Sequence, residues 1–148
     1  MTTVRKLLDA KGKADNYSVS ATDTVWDALK LMAEKDIGAV LVAEGKKIVG
    51  IYTERDYLRK GELAGRSAKS TLVKDVMTSD MYTVTMDTSV EQCMALMEAH
   101  HIRHLPVVEN NQLVGVVSIR DVMAAVLKDR ESEIKGLENY IIGSGFAT

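Results

Sequence analysis

Apolar and polar positions in the first third of the chain follow the period of a strand and then that of a helix. Residues Tyr17-Ser18-Val19-Ser20 alternate as a short half-buried strand does. Apolar residues then recur at i, i+3, i+4 and i+7, namely Val25, Ala28, Leu29 and Met32. This spacing predicts a helix that starts at the capping box Thr24–Asp27 and ends near Asp36.

Two more strands and a second helix are predicted next. Apolar runs at 37–42 and 48–52 indicate two strands, and the polar residues 43–47 between them indicate a turn. A helix is predicted to begin after Thr53 and to stop at Gly61, since glycine commonly ends helices. The unit is therefore strand, helix, strand, strand, helix.

The same unit returns 65 residues further along the chain. Tyr82–Thr85 corresponds to the first strand, and Ser89–Gln92 corresponds to the first capping box. The apolar helix face is repeated as Val90, Cys93, Met94 and Met97. The comparison needs no gap from Tyr17 to Asp56, so the chain contains two copies of one unit.

One such unit cannot cover both faces of its own sheet, whereas two copies packed against each other can. We therefore expect an α+β (α/β) fold of tandem repeats, each with a small three-stranded sheet and two helices. Pseudo-twofold packing of the repeats is expected to form two clefts. The predicted organisation is repeat 1 at 1–60, a linker at 61–72, repeat 2 at 73–127, and a C-terminal helix extension and tail at 128–148. Repeat 1 is expected to start with a helix over 4–10, followed by a polar stretch at 11–16.

The last predicted helix runs from Ile119 well past the end of the repeat. Gly136 is an expected weak point in it. Its apolar residues fall roughly on one side: Val122, Val126, Ile134, Leu137 and Ile141. Because an apolar stripe beyond the core commonly marks packing against another chain, we predict a homodimer.

A short motif closes the second strand pair of each copy. Gly50-Ile51-Tyr52-Thr53-Glu54-Arg55-Asp56 returns as Gly115-Val116-Val117-Ser118-Ile119-Arg120-Asp121. In each copy a hydroxyl residue and an aspartate open a helix, where free N–H groups favour a phosphate. An ionised aspartate there can accept hydrogen bonds from two ribose hydroxyls. A plain capping box is the alternative interpretation, and it requires no ligand.

Composition narrows the class of protein. The hydrophobic share of 46% and charged share of 27% are those of an ordinary globular domain. A net charge of −2 argues against a nucleic-acid-binding surface, and no apolar run approaches the length of a membrane span. The first residues lack the apolar core of a signal peptide, and the single Cys93 cannot form an internal disulfide. We therefore expect a cytoplasmic protein.

The motifs, together with Arg103–Val108 and Val73–Thr78, resemble those of a CBS-domain pair, also called a Bateman module. The run Thr53–Lys60 is similar to that of small stand-alone CBS-pair proteins of bacteria and plant organelles. The resemblance implies a non-catalytic regulatory module that binds adenosine-containing ligands (AMP, ADP, ATP, NAD or S-adenosylmethionine) in clefts between the repeats. It also implies signalling to an effector protein in trans.

Carried over residue by residue, the resemblance assigns the ribose to Asp56 and Asp121, with Thr53 and Ser118 beside the ribose or phosphates. The Asp56 cleft is expected to include Arg55, Tyr82, Thr83, Val84, Arg103, His104 and Pro106. The Asp121 cleft is expected to include Arg120, Tyr17, Val19, Gly38, Ala39 and Leu41. Because the Asp56 cleft would then gather more positive charge, the phosphate-rich ligand is predicted there. The Asp121 cleft is expected to be weaker, apolar or empty.

Other interpretations stay open beside this one. The chain could be a ligand-independent dimeric interaction module whose aspartates are only caps. Cys93 lies on an apolar helix face and is interpreted as a core residue, with a redox-linked accessory subunit as the alternative. His100, His101 and His104 have no cysteine or carboxylate at ligand spacing, so no metal is predicted. No nucleophile–base pair, Walker loop or dinucleotide fingerprint supports an enzyme.

Overall fold

The computed structural model describes residues 1–11 and 17–143. The chain forms two compact units, residues 13–83 with repeat 1 and residues 1–12 joined to 84–148 with repeat 2. Residues 12–16 of the polar stretch predicted at 11–16, and residues 144–148 of the extension and tail predicted at 128–148, lie outside the described residues. The helices and strands in chain order are α1 (Val4–Lys11), β1 (Ser18–Ser20), α2 (Val25–Lys35), β2 (Ala39–Glu44), β3 (Lys47–Thr53), α3 (Glu54–Lys60), α4 (Val90–His100), β4 (His104–Glu109), β5 (Gln112–Ser118) and α5 (Ile119–Gly143).

Local sequence signals set the ends of the helices. Thr24 caps α2 and Ser89 caps α4, each through a reciprocal capping box as predicted. At the other ends Asp36 and His101 adopt the left-handed conformation, with φ of 52° and 53°, and their N–H groups bond back to the helix. The corresponding helices of the two repeats therefore begin and end in the same way.

Repeat 1 contains the predicted three-stranded sheet. The strand order is β1-β2-β3, with β1 parallel to β2 and β2 antiparallel to β3. Its buried apolar cluster includes Val40 and Val42 of β2, Tyr52 of β3, and Val73 and Val76. The last two come from a 3₁₀ turn at Val73–Asp75 and the residue after it.

Repeat 2 has one strand fewer than predicted. Its sheet contains only β4 and β5, and Val84 makes a single parallel bridge to Val107 in place of a first strand. In repeat 1 the N–H of Leu41 donates to the carbonyl of Tyr17. Pro106 stands at the position of Leu41 in repeat 2 and has no N–H to donate. The missing N–H donor at Pro106 explains why no third strand pairs with β4.

The segment in front of each repeat packs on the other repeat. Val4 is fully buried in the core of repeat 2, and Val73 is fully buried in that of repeat 1. The N–H of Val4 donates to the carbonyl of Thr88 (2.8 Å), and the N–H of Val73 donates to that of Asp23 (2.9 Å). From the order of the chain, α1 was predicted to belong to repeat 1 and the segment 73–78 to the start of repeat 2. In the structure, α1 packs on repeat 2 and the segment 73–78 packs on repeat 1.

Helix α5 extends beyond its contacts with repeat 2. It starts at the end of β5 and buries Val122 fully, while every residue from Glu131 to Ile141 is exposed. Thr2 fastens the start of the chain to this helix, since its hydroxyl donates to Asp129 Oδ1 (2.7 Å). Among the described residues, no helix combines the length and apolar content needed to cross a membrane.

Candidate functional site

Both copies of the motif place an aspartate in the first turn of a helix, directly after a strand. In repeat 1 the N–H of Thr53 donates to Asp56 Oδ2 (3.1 Å), and the N–H of Asp56 donates to Thr53 Oγ1 (3.1 Å). The same two bonds join Ser118 and Asp121 in repeat 2, at 2.9 Å and 3.2 Å. Both aspartates therefore form capping boxes, and the sites differ in what else surrounds each carboxylate.

Hydrogen bonds and an ion pair from its own unit occupy most of the acceptor capacity of the Asp56 carboxylate. Besides the Thr53 N–H, it accepts from the hydroxyl of Thr53 (3.2 Å) and that of Thr78 (3.1 Å), and it pairs with Lys60 Nζ (3.4 Å). Its side chain is only 13% exposed. A carboxylate offers about four lone-pair sites, and four donor groups already face this one. Little acceptor capacity is left for ligand hydroxyls.

The Asp121 carboxylate keeps one oxygen available. The Ser118 N–H and Lys11 Nζ (2.8 Å) both donate to Oδ2, whereas no described residue donates to Oδ1. The Asp121 and Lys11 side chains are each 25% exposed. Burial alone would raise the pKa of Asp121, but the hydrogen bonds from Lys11 and Ser118 outweigh it and hold the pKa below its ordinary value. Asp121 is therefore an ionised acceptor.

Besides Lys11, His104 lies near Asp121, and Arg103 directly precedes His104 in the chain. His104 is the first residue of β4 and lies opposite Ser118 at the end of β5. Arg103 is exposed, and its carbonyl accepts from the N–H of Ile119. Burial is the main reason that the pKa of His104 lies below its ordinary value. The positive charges of Lys11 and Arg103 lower this pKa further, whereas the negative charge of Asp121 raises it. The imidazole is thus a neutral hydrogen-bonding group beside two cations.

The matching positions in repeat 1 carry no charge. Ala39 pairs with Thr53, and the carbonyl of Gly38 accepts from the N–H of Glu54 (3.1 Å). The sequence-based assignment placed Arg103, His104 and Pro106 with Asp56, and Gly38, Ala39 and Leu41 with Asp121. Within its own unit, each hairpin sets one of these residues beside the motif of the same repeat, His104 opposite Ser118 and Ala39 opposite Thr53. The reason is the antiparallel pairing of β4 with β5 and of β2 with β3, which brings the start of one strand to the end of the next.

The remaining predicted site residues divide between exposed and structural positions. Arg55 and Arg120 are exposed next to their motif aspartates, and Tyr82 and Thr83 are exposed directly before the bridge residue Val84. Val19 lies in β1 and Val84 makes the single bridge, and both are buried core residues, as is Pro106 in β4. Tyr17, partly buried, packs against the repeat 1 core and has Lys35 over its ring.

Three residues at the sites were missed by the sequence interpretation: Lys11, Lys60 and Thr78. Lys60 could have been found, because it follows Asp56 at the i+4 spacing that brings helix side chains together. Lys11 and Thr78 lie in the segments that cross to the opposite repeat. No local sequence signal indicates that crossing.

The other candidate groups have structural positions. Cys93 is buried and free, and burial raises the pKa of its thiol to about 11, so it carries no reactive thiolate at neutral pH. His100 ends α4 and His101 forms its C-terminal cap, whereas His104 belongs to the next strand. Within the described part of the chain, no three histidine, cysteine or carboxylate side chains are grouped to hold a metal ion.

The fold and the duplicated motif define a tandem-repeat α+β architecture. The family model for the CBS domain matches residues 13–62 and 73–128. The chain therefore belongs to the CBS domain family, and the predicted tandem α+β fold is confirmed.

Relatives of known sequence or structure agree with this assignment. The chain is 42% identical over 150 residues to the mitochondrial CBS domain-containing protein CBSX3 of Arabidopsis thaliana, covering 96% of this chain and 73% of the relative. A CBS-domain protein from Burkholderia ambifaria is 48% identical, with a TM-score of 0.82 over 86% of this chain and 96% of its own. A CBS domain protein from Pyrobaculum aerophilum, solved in complex with AMP, is 26% identical with a TM-score of 0.70, covering 81% and 89% of the two chains.

Proposed function

We propose that this chain is a non-catalytic regulatory module that binds an adenosine-containing ligand at the Asp121 motif. The observation that carries the proposal is the Asp121 carboxylate with one oxygen available, beside Lys11 and His104, with the charge of Arg103 close to His104. Asp121 would accept from the ribose hydroxyls, while Ser118, the helix N-terminus and the cations receive phosphate. The AMP complex of the Pyrobaculum relative supports this ligand class. AMP, ADP, ATP and NAD fit the positive charge better than S-adenosylmethionine.

The Asp56 motif is proposed as the weaker site. Its carboxylate is less exposed and more fully hydrogen-bonded, and neutral Gly38 and Ala39 stand where the other site has Arg103 and His104. This reverses the preference that the sequence interpretation assigned to the two motifs.

Thermal unfolding with AMP, ATP, NAD, NADH and S-adenosylmethionine, each in millimolar excess, tests the proposal. A ligand present at 100 times its dissociation constant should stabilise the wild type by about 2.7 kcal/mol. The stabilisation should disappear in Asp121→Asn and persist in Asp56→Asn, which is the matched control in the other repeat. Loss in Asp56→Asn alone would move the site to repeat 1. No response of the wild type would leave both aspartates as caps and favour the ligand-independent interaction module.

We also infer that the exposed end of α5 pairs with a second copy of the chain. Apolar side chains along it are left uncovered, with exposed fractions of 61% for Leu127, 56% for Ile134, 65% for Leu137 and 47% for Ile141. The exposed end of α5 is about as short as the isolated helices that are marginal in water, so a covering chain would stabilise it. Binding of the ligand would be signalled to an effector protein in trans. The proposed compartment is the reducing cytoplasm.

Leu137→Asp should convert the proposed dimer to monomer, because it places a charge in the apolar stripe. Asn139→Asp, exposed on the opposite side of the same helix, should leave the dimer intact. Charged residues of both signs line the stripe, with Arg130 within it and Glu131, Glu133 and Glu138 beside it, so a salt series separates their contribution from that of the apolar contact. Multi-angle light scattering over a salt series measures both effects. A monomeric wild type at every salt concentration would rule out the second copy.

A further inference from the structure

The exposed part of α5 carries side chains at the spacing of a coiled-coil seam. We call these six residues the α5 stripe, and each of them is exposed: Met123, Leu127, Arg130, Ile134, Leu137 and Ile141. Their intervals alternate between four and three residues, which is the heptad spacing by which two helices pack along one seam. The stripe lies beside the face that packs on repeat 2, because Met123 is 47% exposed while the nearby Val122 and Ala125 are buried. A second helix can therefore cover the stripe without displacing repeat 2.

The α5 stripe is symmetric about its midpoint, Ser132. Each stripe residue has a counterpart at the same number of residues on the other side of this midpoint. The counterparts are Met123 with Ile141, Leu127 with Leu137, and Arg130 with Ile134. Two copies of a chain in twofold contact meet through the same surface, so that surface must match itself. An antiparallel pair centred on Ser132 satisfies this condition, since every stripe residue then lies opposite its counterpart in the second copy.

Arg130, the one charged residue of the α5 stripe, distinguishes the two possible orientations of such a pair. It is exposed and forms no ion pair within the described part of the chain. In a parallel pair in register, Arg130 would face Arg130 of the second copy. The heptad positions beside the seam would also bring Glu133 near Glu138 of the second copy, so both contacts would join like charges. In the antiparallel pair, Arg130 instead faces the apolar Ile134.

Two carboxylates lie beside Ile134 on the surface of the helix. Glu131 is three residues before Ile134 and Glu138 is four residues after it, and residues at these spacings are neighbours on one face of a helix. Arg130 of one copy would therefore lie within reach of a carboxylate of the other. The antiparallel pair also brings the Glu131 side chains of the two copies near each other, and the two Arg130 guanidinium groups beside them offset that repulsion. This charge complementarity favours a second copy of the chain as the occupant of the stripe.

We propose that two copies of this chain pair through α5 as antiparallel helices centred on Ser132, with Arg130 bound to a glutamate of the second copy. The proposal rests on the pairing of two copies inferred above, and it adds the orientation and the ionic contact of that pair. In this arrangement Ile141 of one copy lies level with Met123 of the other, two residues after Asp121. The helix end of each copy would thus approach the proposed adenosine site of the other copy, whereas a parallel pair would keep the two helix ends together.

Distances between spin labels on the outer side of α5, measured by double electron–electron resonance on the full chain, test the orientation. Ser132→Cys and Asn139→Cys each place one label at an exposed position opposite the stripe, so neither disturbs the seam. In the antiparallel pair the two labels at Ser132 lie level with each other, whereas those at Asn139 are also separated by about 21 Å along the helix axes. The distance should therefore be longer in Asn139→Cys than in Ser132→Cys by at least about 5 Å. Cys93 is buried, so the wild type treated in the same way should carry no label.

Equal distances at the two positions, or a longer one at Ser132, would overturn the antiparallel orientation and leave the dimer itself in place. A monomeric mass in light scattering, with no distance between labels at either position, would overturn the pairing of copies and the orientation together. Disulfide formation gives a second measurement within the seam. Chains with Leu127→Cys mixed with chains with Leu137→Cys should cross-link on oxidation, and neither variant should do so alone, because equivalent residues would lie about 15 Å apart along the axes. Cross-linking of either variant alone would contradict the proposal, whether or not an adenosine ligand binds.

Discussion

Replacing Val4 with aspartate should destabilise repeat 2 by about 3–5 kcal/mol, the usual effect of an uncompensated buried charge. Val4 is fully buried among Val90, Val107 and Val117, although α1 adjoins repeat 1 in the sequence. A loss of that size is a large part of the stability of a typical domain. Lys6→Asp changes an exposed position of the same helix and should have an effect within about 0.5 kcal/mol.

Hydrogen exchange locates the damage and so tests the crossing of the chain. In Val4→Asp, amide protection should fall mainly in α4, β4 and β5, and least in β1–β3. The equivalent substitution Val73→Asp should show the opposite distribution, because Val73 is buried in the repeat 1 core. If Val4→Asp exposed the amides of β1–β3 first, α1 would belong to repeat 1, as its position in the chain suggested.

Local patterns predicted the elements well because each depends on residues close in sequence. The spacing at Val25–Met32 and the box Thr24–Asp27 predicted α2, and the 65-residue offset transferred that prediction to α4. Pro106 stands in repeat 2 where repeat 1 has Leu41, and the structure shows the effect of this difference, which is a lost backbone donor and one strand fewer. The crossing of α1 could not be predicted, since it depends on which of two similar cores receives Val4.

The sequence located both motif aspartates but did not indicate the neighbours that each of them has within its own unit. Asp56 and Asp121 lie in the first helical turns as expected. The resemblance to CBS pairs assigned Arg103 and His104 to the Asp56 cleft, and it gave no sign that the hairpin register sets His104 opposite Ser118 within repeat 2. That register could have been read from two strands joined by a short turn, because antiparallel pairing then places the first residue of one strand opposite the last of the next.

Gly50→Ala should destabilise repeat 1 by about 3 kcal/mol, the upper end of the usual range for overpacking. A Cβ at Gly50 would lie 2.9 Å from the carbonyl oxygen of Thr78 and 2.6 Å from the sulfur of Met77. The Met77 side chain can move, but the Thr78 carbonyl is backbone and accepts from the N–H of Ile51 (2.9 Å). Relief of the clash would therefore shift Thr78, whose hydroxyl donates to Asp56.

The equivalent glycine of repeat 2 is the matched control. A Cβ at Gly115 would meet only side-chain carbons of Leu8, at 2.9 Å and 3.0 Å, and no backbone atom of α1 within 3.4 Å. Because the end of a leucine side chain can rotate away, Gly115→Ala should cost about 1 kcal/mol. Urea unfolding of the two variants gives both values. Equal losses would mean that the segment carrying Thr78 yields as readily as a side chain, and that Asp56 is held less firmly than its four donor groups indicate.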